Sequence, residues 1–218
     1  MKTFAVIGLG RFGSSLAMTL SRMGHEVLAI DQDEDKVEDI IEYVTHAVQA
    51  DAKDEQTLKD LGIRNFDAVV VAIGQDMQTS ILITVTLKEM NVPNVVAKAQ
   101  TELHGKVLSR IGADKVVFPE RDMGERVARA LVSKNIMEQI NLSPEYSIVE
   151  FAAPEGFIGK NLQQLAFRRE FGVNILAIRR DDDIIISPGA NTEIQSNDVL
   201  VAIGRNKYLE KFTSVEAQ

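Results

Sequence analysis

Phe4-Ala-Val-Ile-Gly-Leu-Gly-Arg-Phe-Gly13 is the stretch on which the reading of the whole chain turns. Phe4 to Ile7 is an apolar run of strand character, and Gly8, Gly10 and Gly13 follow at G-x-G-x-x-G spacing. From Phe12 a helical period takes over, with Leu16, Leu20 and Met23 on one face. Strand, glycine turn and helix in this order make the opening of a dinucleotide-binding unit. Gly8 allows the tight turn, Gly10 lets the backbone approach a phosphate, and Gly13 lets the helix pack close to the strand. The free N–H groups at the start of the helix favour an anion.

The surroundings strengthen a motif that is weak alone. The next strand-like run, Glu26 to Ile30, closes on Asp31, whose carboxylate can accept both ribose hydroxyls and would repel a 2′-phosphate. Arg11 stands at the helix start, where a cation is unfavourable by roughly 0.3–1 kcal/mol unless an anion is bound nearby. It is read either as an exposed side chain in water or as a contact to a polyphosphate, in its own subunit or across an interface.

Composition narrows the function classes. The 218 residues are 45% apolar and 26% charged, which fits a folded chain of one large domain or one ordinary domain plus a small one. A net charge of -8 with no Lys/Arg run argues against a nucleic-acid polymer as partner. There is no cysteine, which excludes disulfides, a thiol nucleophile and Cys-ligated metal, and fits a reducing compartment. The first strand starts almost at once, so no signal peptide is expected. No apolar run approaches the roughly 18 residues of a membrane helix, so any membrane role is expected through a partner.

Beyond Asp31 strands and helices alternate. Asp33 caps a helix expected through Val44. His46 to Ala50 is a strand, Asp54 to Leu61 a helix stopped by Gly62, and Asp67 to Ile73 a strand buried on both faces. Gln75 to Met90 is a helix, Val95 to Ala99 a strand, Glu102 to Ile111 a helix and Lys115 to Phe118 a strand. Six strands separated by helices imply a Rossmann-like, doubly wound parallel α/β sheet. Ligands in such sheets sit at the carboxyl ends of the strands. The candidates there are the Gly8–Gly13 turn, Asp31, Asp51, Ala72 to Gln75, Lys98 and Glu120. Asp51 is read beside an adenine or as a loop acid, and Lys98 as a phosphate neutraliser or a solvated lysine. Glu120 is read as a first-turn acid or as a ligand for a cation near phosphates.

Arg121 to Ile140 is expected as one long helix, and Asn141-Leu-Ser-Pro144 as the turn that ends the connection. The domains are therefore read as 1–120, a crossover helix and linker over 121–143, and 144–213. In the last part Ser147 to Phe151 is a strand, and Gly159 to Phe171 holds a short helix stopped by Gly172. Val173 to Arg179 and Ile184 to Ile186 form a hairpin, Asp198 to Ile203 is a strand ended by Gly204, and Lys207 to Phe212 is a helix. A small α+β domain of roughly 70 residues makes dimerisation an expected route to stability.

The whole of residues 1–213 resembles the cytoplasmic regulatory subunits of bacterial Ktr/Trk potassium transport systems, of the KtrA/KtrC type, with an RCK (TrkA-N) domain and an RCK-C (TrkA-C) domain. The resemblance rests on the opening stretch together with Gly62-Ile-Arg-Asn-Phe66, Val71-Ala-Ile-Gly74, Lys98-Ala-Gln100, Ile111-Gly-Ala-Asp114 and Pro119-Glu-Arg-Asp-Met123. It implies a non-enzymatic protein: a homo-oligomer of dimers assembled into an octameric ring beneath a membrane potassium channel subunit, at the inner face of the plasma membrane. It implies ATP or ADP, and in some members NAD(H), in each Rossmann unit. The nucleotide-binding set is then Gly8, Gly10, Arg11, Phe12, Gly13, Asp31, Gln32, Asp51, Ala72, Ile73, Gly74 and Lys98. Asp31 would hold the ribose, the glycine turn the phosphates, and Arg11 a γ-phosphate across the dimer. Glu120 would help hold a divalent cation or Na+ between subunits. A cyclic di-AMP site in the second domain would use Arg168, Asn174, Ile175 and Pro188.

Two other readings stay open. An NAD-dependent dehydrogenase or redox sensor fits the fingerprint equally well, because fold does not fix function. It lacks a catalytic half. His25 and His46 stand at strand starts, away from the ligand end, and His104 inside a helix is the one histidine left as a candidate acid or base. A regulatory subunit for another cation transporter is equally compatible, since the membrane partner is a separate chain.

Overall fold

In the computed structural model, residues 1–132 and 136–213 are described, and the chain divides into two compact units, Met1–Asp122 and Met123–Gln218. The first holds strands β1 Thr3–Ile7, β2 Glu26–Asp31, β3 His46–Gln49, β4 Ala68–Val71, β5 Val95–Lys98 and β6 Lys115–Val117. They form one parallel sheet in the order β3-β2-β1-β4-β5-β6. Helices α1 Arg11–Arg22, α2 Glu34–Glu38, α3 Glu55–Asp60, α4 Met77–Glu89 and α5 Glu102–Arg110 make the crossovers.

Strand alternation explains why the sheet is apolar on both sides. Ala5 and Ile7 of β1 and Val69 and Val71 of β4 join one buried cluster with Leu28, Ile83, Leu87 and Leu108. Val6 and Val70, one residue out of phase, join the opposite cluster with Ala17, Val27, Ala29 and Val37. Leu16 and Leu20 of α1 pack on that second cluster, whereas Met23 lies just past the helix end and is exposed. Strand order reverses between β1 and β4, so the crevice of a doubly wound sheet opens at their carboxyl ends.

Caps set the helix starts as the side chains dictate. Asp33, Asp54, Asp76 and Thr101 each accept a backbone N–H at the start of α2, α3, α4 and α5. Gly62 takes a left-handed conformation after α3. The helix expected from Asp33 to Val44 is shorter: α2 ends at Glu38 and a 3₁₀ turn covers Ile41–Tyr43.

The second unit is an antiparallel sheet of β7 Ile136–Asn141, β8 Tyr146–Ala152, β9 Val173–Arg180, β10 Asp183–Ile186 and β11 Val199–Arg205, in the order β10-β9-β11-β8-β7. The short helices α7 Leu162–Leu165 and α8 Phe167–Glu170 and the terminal α9 Asn206–Thr213 complete it. Val149, Phe151, Phe157, Phe167, Ile178 and Leu200 fill its core.

Three expectations are corrected here. Helix α6 runs from Pro119 to Val132, not to Ile140; residues 133–135 lie outside the described residues, and Ile136–Asn141 is strand β7, paired with β8. Cross-strand hydrogen bonding outweighs the helical spacing of Val127, Leu131 and Met137, all of which are exposed. The single short helix expected before Gly172 is two turns, broken by Ala166 at φ 46°. Gly204 does not end β11, which continues to Arg205 with Gly204 paired to both neighbouring strands.

Candidate functional site

At the switch point the backbone turns at Gly8, which sits at φ 96°, and its N–H is bonded to the Ile30 carbonyl at 2.8 Å. A Cβ on Gly13 would lie 1.9 Å from the Gly8 carbonyl oxygen and 3.1 Å from Ala72 Cβ, so α1 packs on the turn only because Gly13 has none. Around Gly10 no heavy atom lies within 4 Å of such a Cβ. The two glycines thus divide the work: one lets protein approach protein, the other leaves room beside the backbone.

The turn opens onto a cleft of about 600 Å³ within the first unit. Its size falls in the range of small-molecule sites. Of the residues singled out above for the nucleotide, Gly8, Gly10, Arg11, Phe12, Asp31, Gln32, Asp51, Ala72, Ile73, Gly74 and Lys98 line it, and so does Glu120. Gly13 does not; it is buried in α1 and its part is packing.

Acids and cations are paired along the cleft. At the end of β2 Asp31 is nearly buried, its Oδ2 accepting the Leu9 N–H at 2.6 Å and its Oδ1 the Asp33 N–H at 3.0 Å. Lys36 reaches it at 3.5 Å and Asp33 at 3.3 Å. Burial works to lower the pKa of Lys36, but Asp31 and Asp33 together outweigh it and hold the ammonium above its usual value. Asp51 accepts the Lys53 N–H at 3.0 Å, with the Lys53 ammonium 3.5 Å from the carboxylate. Arg11 at the start of α1 is exposed, and Lys98 at the end of β5 is buried. The Lys98 ammonium is 5.9 Å from the Phe12 ring centroid and 2.5 Å from Glu120 Oε1. That hydrogen bond holds the Glu120 carboxyl below the usual range against the opposing effect of its partial burial, with the charges of Lys98 and Arg11 adding to it.

Lys36, Lys53, Asp76, Thr79 and Gln100 also line the cleft and were not singled out from sequence. Lys36 and Lys53 stand five and two residues after the strand-end acids Asp31 and Asp51. That recurrence of a lysine soon after a strand-end acid was the available signal. None of the three histidines lines the cleft, and His104 is buried in α5.

The described residues of one chain do not gather a metal site. Glu120 is held by Lys98, and among the described residues no group of three His, Cys, Asp or Glu side chains gathers. In the second unit Arg168 on α8 and Asn174 on β9 are exposed, while Ile175 on β9 and Pro188 after β10 are half-buried. Ile175 packs against the core of that unit.

Fold and cleft define a two-unit protein: a Rossmann-type unit with a built crevice, followed by a small antiparallel unit. Residues 4–119 match the TrkA-N domain and residues 146–215 the TrkA-C domain. The chain is 48% identical over 211 residues to Ktr system potassium uptake protein C of Bacillus subtilis (strain 168), covering 97% of this chain and 96% of that one. It is 38% identical over 215 residues to Ktr system potassium uptake protein A of Vibrio alginolyticus, covering 98% of each. Among solved structures it is similar to the GsuK channel bound to NAD, with a TM-score of 0.53 and 26% identity over 97% of this chain. It spans only 38% of that channel chain. The chain belongs to the TrkA-N/TrkA-C family of Ktr-type potassium uptake regulatory subunits. No helix among the described residues is long and apolar enough to cross a membrane.

Proposed function

We propose that this subunit senses adenine nucleotides in the cleft of its first unit and gates a membrane potassium channel subunit accordingly. The observation that carries the reading is the lining of the cleft: Asp31, a carboxylate suited to ribose hydroxyls, at the end of β2, together with Arg11 at the start of α1 and Lys98 at the end of β5, cations suited to phosphates. ATP and ADP differ by one charged phosphate, so an exposed arginine beside the glycine turn is placed to read that difference, in its own chain or in a neighbour's. A switch needs a ligand that binds one assembly state better than the other, because equal affinity shifts nothing. The assembly we propose is a homo-oligomeric ring, an octamer built of dimers, on the cytoplasmic side of its channel.

The test is binding of labelled ATP and ADP to the purified protein and to Arg11→Ala. The variant is expected to lose the preference for ATP while keeping ADP affinity. Equal loss of both would count against Arg11 as the reader of the third phosphate.

NAD(H) is the second reading for the same cleft, favoured by the likeness to a channel solved with NAD. Labelled NADH in the same assay, with Asp31→Ala, separates the two; binding of NADH alone would remove the ATP/ADP switch. For the second unit we propose a cyclic di-AMP site on Arg168, Asn174, Ile175 and Pro188, resting on family membership and the exposure of Arg168 and Asn174. Loss of cyclic di-AMP binding in Arg168→Ala with ATP binding intact is the expected result.

A further inference from the structure

Lys36 is a cleft cation to which the nucleotide reading gives no task. It stands on the short helix α2, and its ammonium lies 3.5 Å from Asp31 Oδ1 and 3.3 Å from Asp33 Oδ2. Both separations exceed the roughly 2.7–2.9 Å of a closed charge-assisted hydrogen bond, so the ammonium stands off the two acids and does not seal them. The Lys36 side chain is 43% exposed and that of Asp31 only 9%. Each Asp31 oxygen is already fixed by one backbone N–H, from Leu9 and from Asp33. Both residues line the cleft. Burial works to lower the Lys36 pKa, but Asp31 and Asp33 outweigh it, so the ammonium keeps its three protons. Two can serve the two acids, which leaves a third N–H for a ligand oxygen. An anchored acceptor and a charged donor thus stand side by side where a ribose would lie.

We propose that Lys36 is a specificity-determining residue that, paired with Asp31, reads a ribose hydroxyl and so selects ribonucleotides over deoxyribonucleotides. The inference deepens the nucleotide reading of the cleft and rests on it. A hydroxyl is at once donor and acceptor. Set against this pair, it donates to the Asp31 carboxylate and accepts from the Lys36 ammonium. A hydrogen in its place does neither, and a site built to bond a hydroxyl loses both bonds with the analogue that lacks it. Asp31 alone supplies only the acceptor half. The two analogues carry the same phosphates, so the general attraction of a lysine for an anion cancels when ADP is compared with deoxy-ADP. What remains is the local contact to the sugar.

The experiment measures affinities of ADP, 2′-deoxy-ADP and 3′-deoxy-ADP by calorimetry for the full chain. The variants are Lys36→Met and Lys59→Met. Lys59 pairs with Glu55 on α3 outside the cleft, so its loss removes one positive charge and nothing at the site. The unsubstituted chain is expected to prefer ADP over at least one of the deoxy analogues. Lys36→Met is expected to shrink that preference about tenfold while its affinity for the deoxy analogue changes little. Retained binding of that analogue shows that the cleft is still folded, and if Lys36→Met does not fold, Lys36→Gln carries the same test. Lys59→Met is expected to keep the preference of the unsubstituted chain. No preference for ADP in the unsubstituted chain overturns the proposal, as does a preference unchanged in Lys36→Met. Equal weakening of all three nucleotides in Lys36→Met reduces the effect to general charge and overturns it, and so does an equal shrinkage in Lys59→Met. Absence of ADP binding by every protein would overturn this inference together with the reading beneath it.

Discussion

Asp31 Oδ2 accepts the backbone N–H of Leu9 at 2.6 Å, tying the end of β2 to the middle of the glycine turn that follows β1. The acid that sequence alone suggests for a ribose is thus also a brace for the phosphate turn. Its buried carboxylate has one hydrogen bond to each oxygen from the protein backbone, which leaves further lone pairs for a ligand in the cleft.

The two roles of Asp31 separate under substitution. Asp31→Asn keeps one acceptor oxygen for Leu9, gives up the bond from the Asp33 N–H, and is expected to fold with a small loss of stability. It loses a charge-assisted bond to the ribose, which weakens nucleotide affinity by about tenfold to a hundredfold. Asp31→Ala removes the brace as well and is expected to lower the melting temperature in addition. Calorimetric titration and thermal unfolding of both variants check this; equal melting temperatures would remove the bracing role.

Gly13 and Gly10 predict opposite outcomes. Gly13→Ala drives a methyl into the Gly8 carbonyl and is expected to cost at least about 2 kcal/mol of stability, read by urea unfolding. Gly10→Ala meets nothing within 4 Å and is expected to leave stability unchanged while abolishing nucleotide binding.

In the second unit Arg180 binds Asp198 through two hydrogen bonds of 2.8 Å, and Asp198 is fully buried while also accepting the Gln195 N–H. Burial pushes the Asp198 carboxyl up, but Arg180 and the Gln195 N–H outweigh that and leave it below its ordinary value. Its stabilisation is therefore present above the unfolded carboxyl pKa and is lost as pH falls through the folded one. Arg180→Ala leaves a buried charge without its partner and is expected to cost about 3 kcal/mol. Unfolding of the variant at neutral pH measures it, and a change under 1 kcal/mol would contradict the account.

His104 carries a pH signature of the same sign at higher pH. It is buried, its Nδ1 faces the Gln100 N–H at 3.5 Å, and its Nε2 has no partner. Burial lowers its pKa, so the folded state resists protonation while the unfolded state accepts a proton at about pH 6.5. Stability is expected to be full above that pH and to decline as pH falls from there toward the lower folded value. His104→Gln is expected to flatten that decline between pH 7 and 5, measured by denaturant titration.

The first unit was legible in the sequence because its signals are local. An apolar strand, the glycine spacing, capping aspartates and a strand-end acid each act within a few residues, and the turn and caps form where they stand. The cleft's composition was legible for the same reason, since the doubly wound topology delivers strand ends to one place. Lys36 and Lys53 follow strand-end acids at unequal spacings of five and two residues, so their recurrence is a weak signal, and only the fold shows each ammonium reaching back to its acid. Strand β7 was misread because Ile136–Asn141 extends the helical spacing of α6, and only pairing with β8, a neighbour later in the chain, decides it.

By itself the sequence determined the Rossmann-type unit, the small second unit and the acid and glycine positions, all consequences of periodicity and backbone preference. Tertiary structure alone decided which side chains meet: Leu9 with Asp31, Lys98 with Glu120, Arg180 with Asp198. Those pairs span 18 to 22 residues of chain, and whether two charges so separated pair or stay in water depends on burial, which only the folded chain creates.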